Sequence, residues 1–222
     1  MSAFLAPIHY WLYNKIRNVV DREQAVFSAA ENLCGAAAEE ARSQAWQSYG
    51  EPLPDRDLKD HIDQSNIHGW LQRQINVAES REAAFVQALI DSCGAAAVDV
   101  VQDAFREHGI HVARHAASQG KYETATAPGL YKAMNDYFLN GMPCDQADAV
   151  MESTTDKLVW ESDVCLQESN WQRAGADEKI MKRLYHEWLA SFVSTLNPGF
   201  AYHQTADTKS GNARNRYEII KI

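Results

Sequence analysis

Two carboxylates and a thiol stand at alternate positions of one short segment, Lys157-Leu-Val-Trp-Glu-Ser-Asp-Val-Cys165. An extended chain points successive side chains to opposite faces. Glu161, Asp163 and Cys165 therefore share a face with Val159, while Leu158, Trp160, Ser162 and Val164 take the other. Such a set suits the wall of a pocket or an exposed sheet face, and composition alone does not choose between them. It could support two kinds of chemistry. Cys165, as a thiolate, could attack an electrophilic carbon. Asp163 or Glu161, its pKa raised by burial, could instead activate water on a C=N or amide-like centre. The plainer roles are a cysteine packed at a strand end and a solvated carboxylate.

These side chains need a sheet to hold them, and the pattern after Pro143 supplies one. Residues 147–154 and 157–164 have strand composition, and Thr154-Thr155-Asp156 can join them as a hairpin. Ile180, Leu184, Trp188 and Phe192 make an amphipathic helix of 177–195, which Asn197-Pro198-Gly199 breaks. Two further strands, 200–206 and 214–221, follow across a polar turn. With a helical first half, this predicts an α+β fold.

The helical half carries one segment twice. Residues 22–50 and 81–109 align without a gap at an offset of 59, and 11 of 29 positions are identical. Both copies read as amphipathic helices. Asp21 and Ser80 are candidate caps, and Gly50 and Gly109 sit where C′ glycines belong. In the middle of each lies Cys-Gly-Ala-Ala-Ala, at Cys34 and Cys93, whose small residues suit a close helix crossing. That assigns the two cysteines to packing; a paired thiol site is the lesser alternative. The Ala-rich stripes also suit helix-mediated homodimerisation. Further helices are expected at about 7–20, with Pro7 in the first turn, at 67–78, at 110–120 and at 127–139. His111 and His115 lie four apart on one of them, but no third ligand makes them a metal site. The division expected is 1–142, helical, and 143–222, sheet with helices, packed together as one unit.

The net charge of −9 argues against a nucleic-acid surface or docking on an anionic membrane. No apolar run is long enough to span a bilayer, and the N-terminus reads as a folded helix rather than an export signal. Those features favour the cytoplasm and free thiols. The four cysteines match no zinc spacing, and no motif calls for a metal or a cofactor. Lys209-Ser-Gly-Asn lacks the order of a nucleotide loop.

Trp160-Glu-Ser-Asp-Val-Cys165, Thr195-Leu-Asn-Pro198, His203-Gln-Thr-Ala-Asp207 with Gly211, and Asn215-Arg-Tyr217 come in that order along the chain. In order and spacing they resemble the L-2-amino-thiazoline-4-carboxylic acid hydrolase-like family. That resemblance covers about 158–220, with the second repeat copy as its helical lead-in. It implies one sheet face carrying Cys165, Asp163 and Glu161 with His186 as catalytic residues. Trp160, Glu187, Gln204, Asn215 and Tyr217 would contact the substrate. In the covalent route, His186 would take the proton and Gln204 or Asn215 would hold developing charge. The departures are specific. Tyr185-His186 and Asn215 stand where the family has cysteines, and Gln204 replaces its arginine. The implied function is a hydrolase-like enzyme acting on a small polar heterocycle or an amide or amidine C–N bond. The alternatives are a non-catalytic small-molecule binder and a cyclase or isomerase.

Overall fold

Pro7 opens a helix that continues well past the 20 expected from its first apolar stripe. The structure, a computed structural model, describes residues 5–145 and 148–222. Helix α1 runs Pro7–Cys34, α2 Ala36–Tyr49, α3 Ile67–Cys93 and α4 Ala95–Ser118. Asn66 caps α3 by accepting from the Gly69 amide at 3.1 Å. The candidate caps Asp21 and Ser80 are not used. Asp21 lies inside α1, exposed beside Arg17, and Ser80 lies buried inside α3. No glycine or proline interrupts the chain between Ile8 and Cys34, so nothing stops the helix there.

The breaks fall at the glycines of Cys-Gly-Ala-Ala-Ala. Gly35 has φ 53° and ψ −126°, and Gly94 has φ 71° and ψ −161°. A side chain would strain such backbone, although no neighbour lies within 4 Å of a Cβ placed at either. These glycines are joints between helices, not the centre of a close crossing. The cysteines before them are not merely packed: Cys34 and Cys93 form a disulfide, with Cα atoms 5.9 Å apart.

The repeat is also longer than its obvious part. Ile8, His9, Trp11, Leu12 and Ile16 recur at the same offset as Ile67, His68, Trp70, Leu71 and Ile75. Helices α1 and α3 lie side by side and parallel, related by a local two-fold along their length. His9 faces His68 with ring centroids 5.5 Å apart. Arg22 grips Glu82 through two bonds of 2.7 and 2.8 Å, and Arg81 reaches Glu23 at 2.7 Å. Those are the same contact made twice, with the copies exchanged. All four side chains are buried, where an ion pair persists only with close partners. Helix α2 folds back on both, burying Ala38, Ala41 and Ala45. Trp46 donates Nε1 to Glu23 at 3.0 Å. The short helix α6, Glu168–Arg173, was not apparent from the sequence; it packs on α3, and its Asn170 donates to Glu79 at 2.6 Å.

The chain forms two compact units, Met1–Ala104 with Gln167–Met181, and Phe105–Leu166 with Lys182–Ile222. The second holds α5, Ala127–Tyr137, α7, Glu178–Leu196, from Lys182 onward, and a four-stranded antiparallel sheet. Its strands are β1 Asp148–Ser153, β2 Lys157–Ser162, β3 Phe200–Ala206 and β4 Asn215–Lys221. The order is β1-β2-β4-β3, so the last strand lies inside the sheet. The Thr154 amide bonds to Lys157 O at 2.7 Å and closes the expected hairpin. Position 147, expected to start the first strand, lies outside the described residues. The fold is α+β. Gly109 is not a helix end but lies inside α4, where the Trp188 carbonyl of α7 comes against it. Trp188 is core: its Nε1 donates to His108 at 2.9 Å and its ring stacks on Phe192.

Candidate functional site

Register decides which side chains meet. Trp160 pairs with Tyr217 and Ser162 with Asn215, while Tyr202 and Gln204 on β3 oppose Ile219 and Tyr217. Directly paired residues share a face, so Trp160, Ser162, Asn215, Tyr217, Tyr202 and Gln204 all project to one side. Their rings form a continuous row. Trp160 and Tyr217 stack at 5.5 Å, Tyr217 and Tyr202 at 6.3 Å, and Tyr131 of α5 lies 4.9 Å from Trp160. His186 of α7 meets the row edge-on, 5.8 Å from Tyr202 and 6.2 Å from Tyr217. At the β1 end, Asp148 accepts from Asn140 at 3.1 Å and from the Tyr131 hydroxyl at 3.4 Å.

The electrostatics follow from burial. Desolvation, helped by the positive charge of Lys182 and opposed by Asp207, lowers His186 to about 4, so its imidazole is neutral at physiological pH. Lys182 and Asp207 form a 2.6 Å ion pair beside it. Burial pushes the phenols up, with the neighbouring Asp148 adding to the effect: Tyr131 rises to about 12, and Tyr202 and Tyr217 are raised well above the ordinary value too. Cys165 also acts electrostatically on Tyr202 and Tyr217. All three phenols therefore keep their protons.

Asn215 is the most enclosed polar group of this face, 1% exposed. Its Oδ1 accepts from the Thr208 amide at 3.1 Å and from Gln204 Nε2 and the Thr208 hydroxyl at 3.3 Å each. Its Nδ2 is buried without a hydrogen-bond partner.

The expected grouping of Glu161, Asp163 and Cys165 does not hold. Strand β2 stops at Ser162, whose hydroxyl donates to Val164 O at 2.6 Å and bends the chain. Alternation ends there, so Cys165 is no longer held on the face of Glu161, and it lies within electrostatic range of Tyr202 and Tyr217. Glu161 faces the other side of the sheet, held by Arg216 at 2.9 Å and Arg214 at 3.5 Å, and exposed Asp163 pairs with Arg214 at 2.9 Å. The two carboxylates are thus engaged by arginines away from the thiol. Cys165, His186, Trp160, Gln204, Asn215 and Tyr217 do come together. Glu187 follows His186 and points about 100° further round α7. Tyr131, Asp148, Asn140 and Tyr202 were missed. Tyr202 had a readable signal, since it alternates with Gln204; Tyr131 and Asp148 are brought in by tertiary packing alone.

His111 and His115 do not form a ligand pair, because His115 is bonded to the Tyr137 hydroxyl at 3.0 Å and to Gln119 at 3.3 Å. Among the described residues no three His, Cys, Asp or Glu side chains converge on a metal position. No helix among them is long and apolar enough to cross a membrane. No protein-family model, curated protein or solved structure matches the chain.

Proposed function

We propose that the aromatic face of the second unit recognises a small, planar, polar molecule. The observation that carries this reading is the buried, unpartnered Nδ2 of Asn215 on the same face as the Trp160–Tyr217–Tyr202 row. A buried donor left unpaired costs about 1–3 kcal/mol, which a carbonyl or carboxylate of a ligand would recover. Stacked rings suit a flat heterocycle or amide. Mass spectrometry of ligands retained by the purified chain, followed by calorimetric titration of a panel of small heterocyclic carboxylates, tests it. Asn215→Ala and Tyr217→Ala should each weaken binding at least tenfold, about 1.4 kcal/mol, with the fold intact. Unchanged affinity in both variants would remove the reading.

A second reading, hydrolysis of a C–N bond in such a molecule, is favoured by neutral His186 lying edge-on to Tyr202 and Tyr217, with Cys165 within electrostatic range of the same two rings. Here Cys165 adds to the electrophilic carbon while His186 accepts the thiol proton and returns it to the leaving nitrogen. Water then releases the product. This is the activity implied by the family resemblance. Cys165→Ala should abolish turnover while leaving binding within a fewfold of wild type; full turnover in that variant would leave binding alone. The cytoplasm is the proposed compartment and is checked by cell fractionation.

A further inference from the structure

The Cys34–Cys93 disulfide plays no part in the proposed ligand site. It joins equivalent positions of the two repeat copies, on the local two-fold, at the C-terminal ends of parallel helices α1 and α3. Both cysteines are only half-buried. Leu33, Ser92, Gly35 and Gly94 around them are exposed. Directly after each comes a glycine joint with open space about it. Below the disulfide the helices are held by other means. Phe27 lies against Phe85, and the reciprocal pairs Arg22–Glu82 and Arg81–Glu23 sit 11 to 12 residues before the cysteines, about 17 Å along a helix.

We propose that Cys34 and Cys93 form a reversible redox clamp. Oxidised, it locks the ends of α1 and α3 and the two glycine joints; reduced, it lets those ends separate while the ion-paired core stays closed. The reactants are thiols and disulfides of the glutathione or dithiol-oxidoreductase class. In closing, Cys34 as a thiolate attacks a small disulfide and expels one thiol, then Cys93 attacks the mixed disulfide and expels the second. Two electrons pass to the small disulfide, which leaves as two thiols carrying the two protons. Opening is the reverse, with a dithiol becoming oxidised. The remaining cysteines, Cys144 and Cys165, form no disulfide and belong to the second unit, so the first unit contains no competing thiol.

The test uses the full chain equilibrated in glutathione buffers of graded ratio, then trapped by alkylation. Peptide mass mapping reads the 34–93 bond, and hydrogen exchange reads opening. The expected result is a bond that forms and breaks reversibly across the series. On reduction, exchange should accelerate severalfold at residues 31–38 and 90–97 but stay unchanged at 19–27 and 78–86. Cys34→Ser should show the fast exchange in every buffer. Failure of the bond to form, a bond that resists dithiothreitol in the folded chain, or exchange indifferent to reduction would each overturn the clamp. So would global unfolding of the reduced wild type, which marks a structural staple; that arm stands even if Cys34→Ser fails to fold.

Discussion

Burial of Glu79 in α3 raises its carboxyl pKa to about 8: desolvation outweighs the hydrogen bond from Asn170, and the charge of Glu82 adds to it against the opposing effect of Arg22. Three carboxyl groups, Glu23, Glu79 and Glu82, share this interior with two guanidiniums, Arg22 and Arg81, so one of the three is best kept neutral. The folded state binds the Glu79 proton more tightly than the unfolded chain, whose pKa is near 4.5. Its contribution to stability is therefore complete below about 4.5 and is lost as pH rises through about 8. Glu79→Gln preserves shape and stays neutral. Urea unfolding between pH 5 and 8.5 should show the variant losing less stability than wild type, by on the order of a few kcal/mol. His186 works with the opposite sign. Its folded pKa of about 4 lies below the ordinary 6.5, so stability is lost as pH falls between those values. The Glu79 effect must be read as variant against wild type, where the histidine contribution cancels. Parallel profiles would show that Glu79 is ionised in the fold.

The two copies of the repeat have diverged where their glycines end up. Gly50 closes α2 with φ 86°, whereas its counterpart Gly109 lies within α4. A Cβ at Gly109 would collide with the Ser191 hydroxyl and come within 2.7 Å of the Trp188 carbonyl oxygen. Because that oxygen is backbone, relief requires α7 to move. Gly109→Ala should destabilise by about 1–3 kcal/mol or more, despite the better helix propensity of alanine; a gain in melting temperature would contradict the close approach. The same pair of glycines shows what sequence could and could not tell. Period and turn chemistry were enough for the hairpin at Thr154, for α5, α7, β3 and β4, and for the α+β class. The helix ends were misread because Asp21 and Ser80 have capping chemistry that a continuing helix does not use. The upstream part of the repeat, Ile8-His9-x-Trp11-Leu12, is legible in the sequence, but differences at Tyr13–Lys15 and from Arg17 to Asp21 separate it from the gapless part. Half the candidate site was readable by strand alternation. The rest was not: Tyr131 and His186 reach the face only through packing of α5 and α7 on the sheet, and the place of Cys165 depends on where β2 ends, at Ser162.

In the first unit the repeat behaves as a two-fold assembly folded within one chain. The reciprocal contacts Arg22–Glu82 and Arg81–Glu23 have the form of an isologous dimer interface. The stripe residues Ala38, Ala41 and Ala45, part of the case for a homodimer, are buried inside that unit. The symmetry is incomplete. Trp46 donates to one Glu23 oxygen where the second copy of the sequence has a phenylalanine, and Arg81 is left with a buried Nη2 lacking a partner. The disulfide adds a covalent bond across the same axis, and its effect on stability acts through the unfolded chain. Closing the 59-residue separation between Cys34 and Cys93 restricts the unfolded state by about 4 kcal/mol in the chain-entropy account. Cys34→Ser, Cys93→Ser, the double variant and the reduced wild type should therefore all lose about the same amount, because one bond is removed in each. A protein of ordinary stability, about 5–15 kcal/mol, tolerates that loss and stays folded. Denaturant titration of the four samples measures it. A double variant losing about twice as much as either single one would mean that each cysteine stabilises the fold by its own packing rather than through the bond.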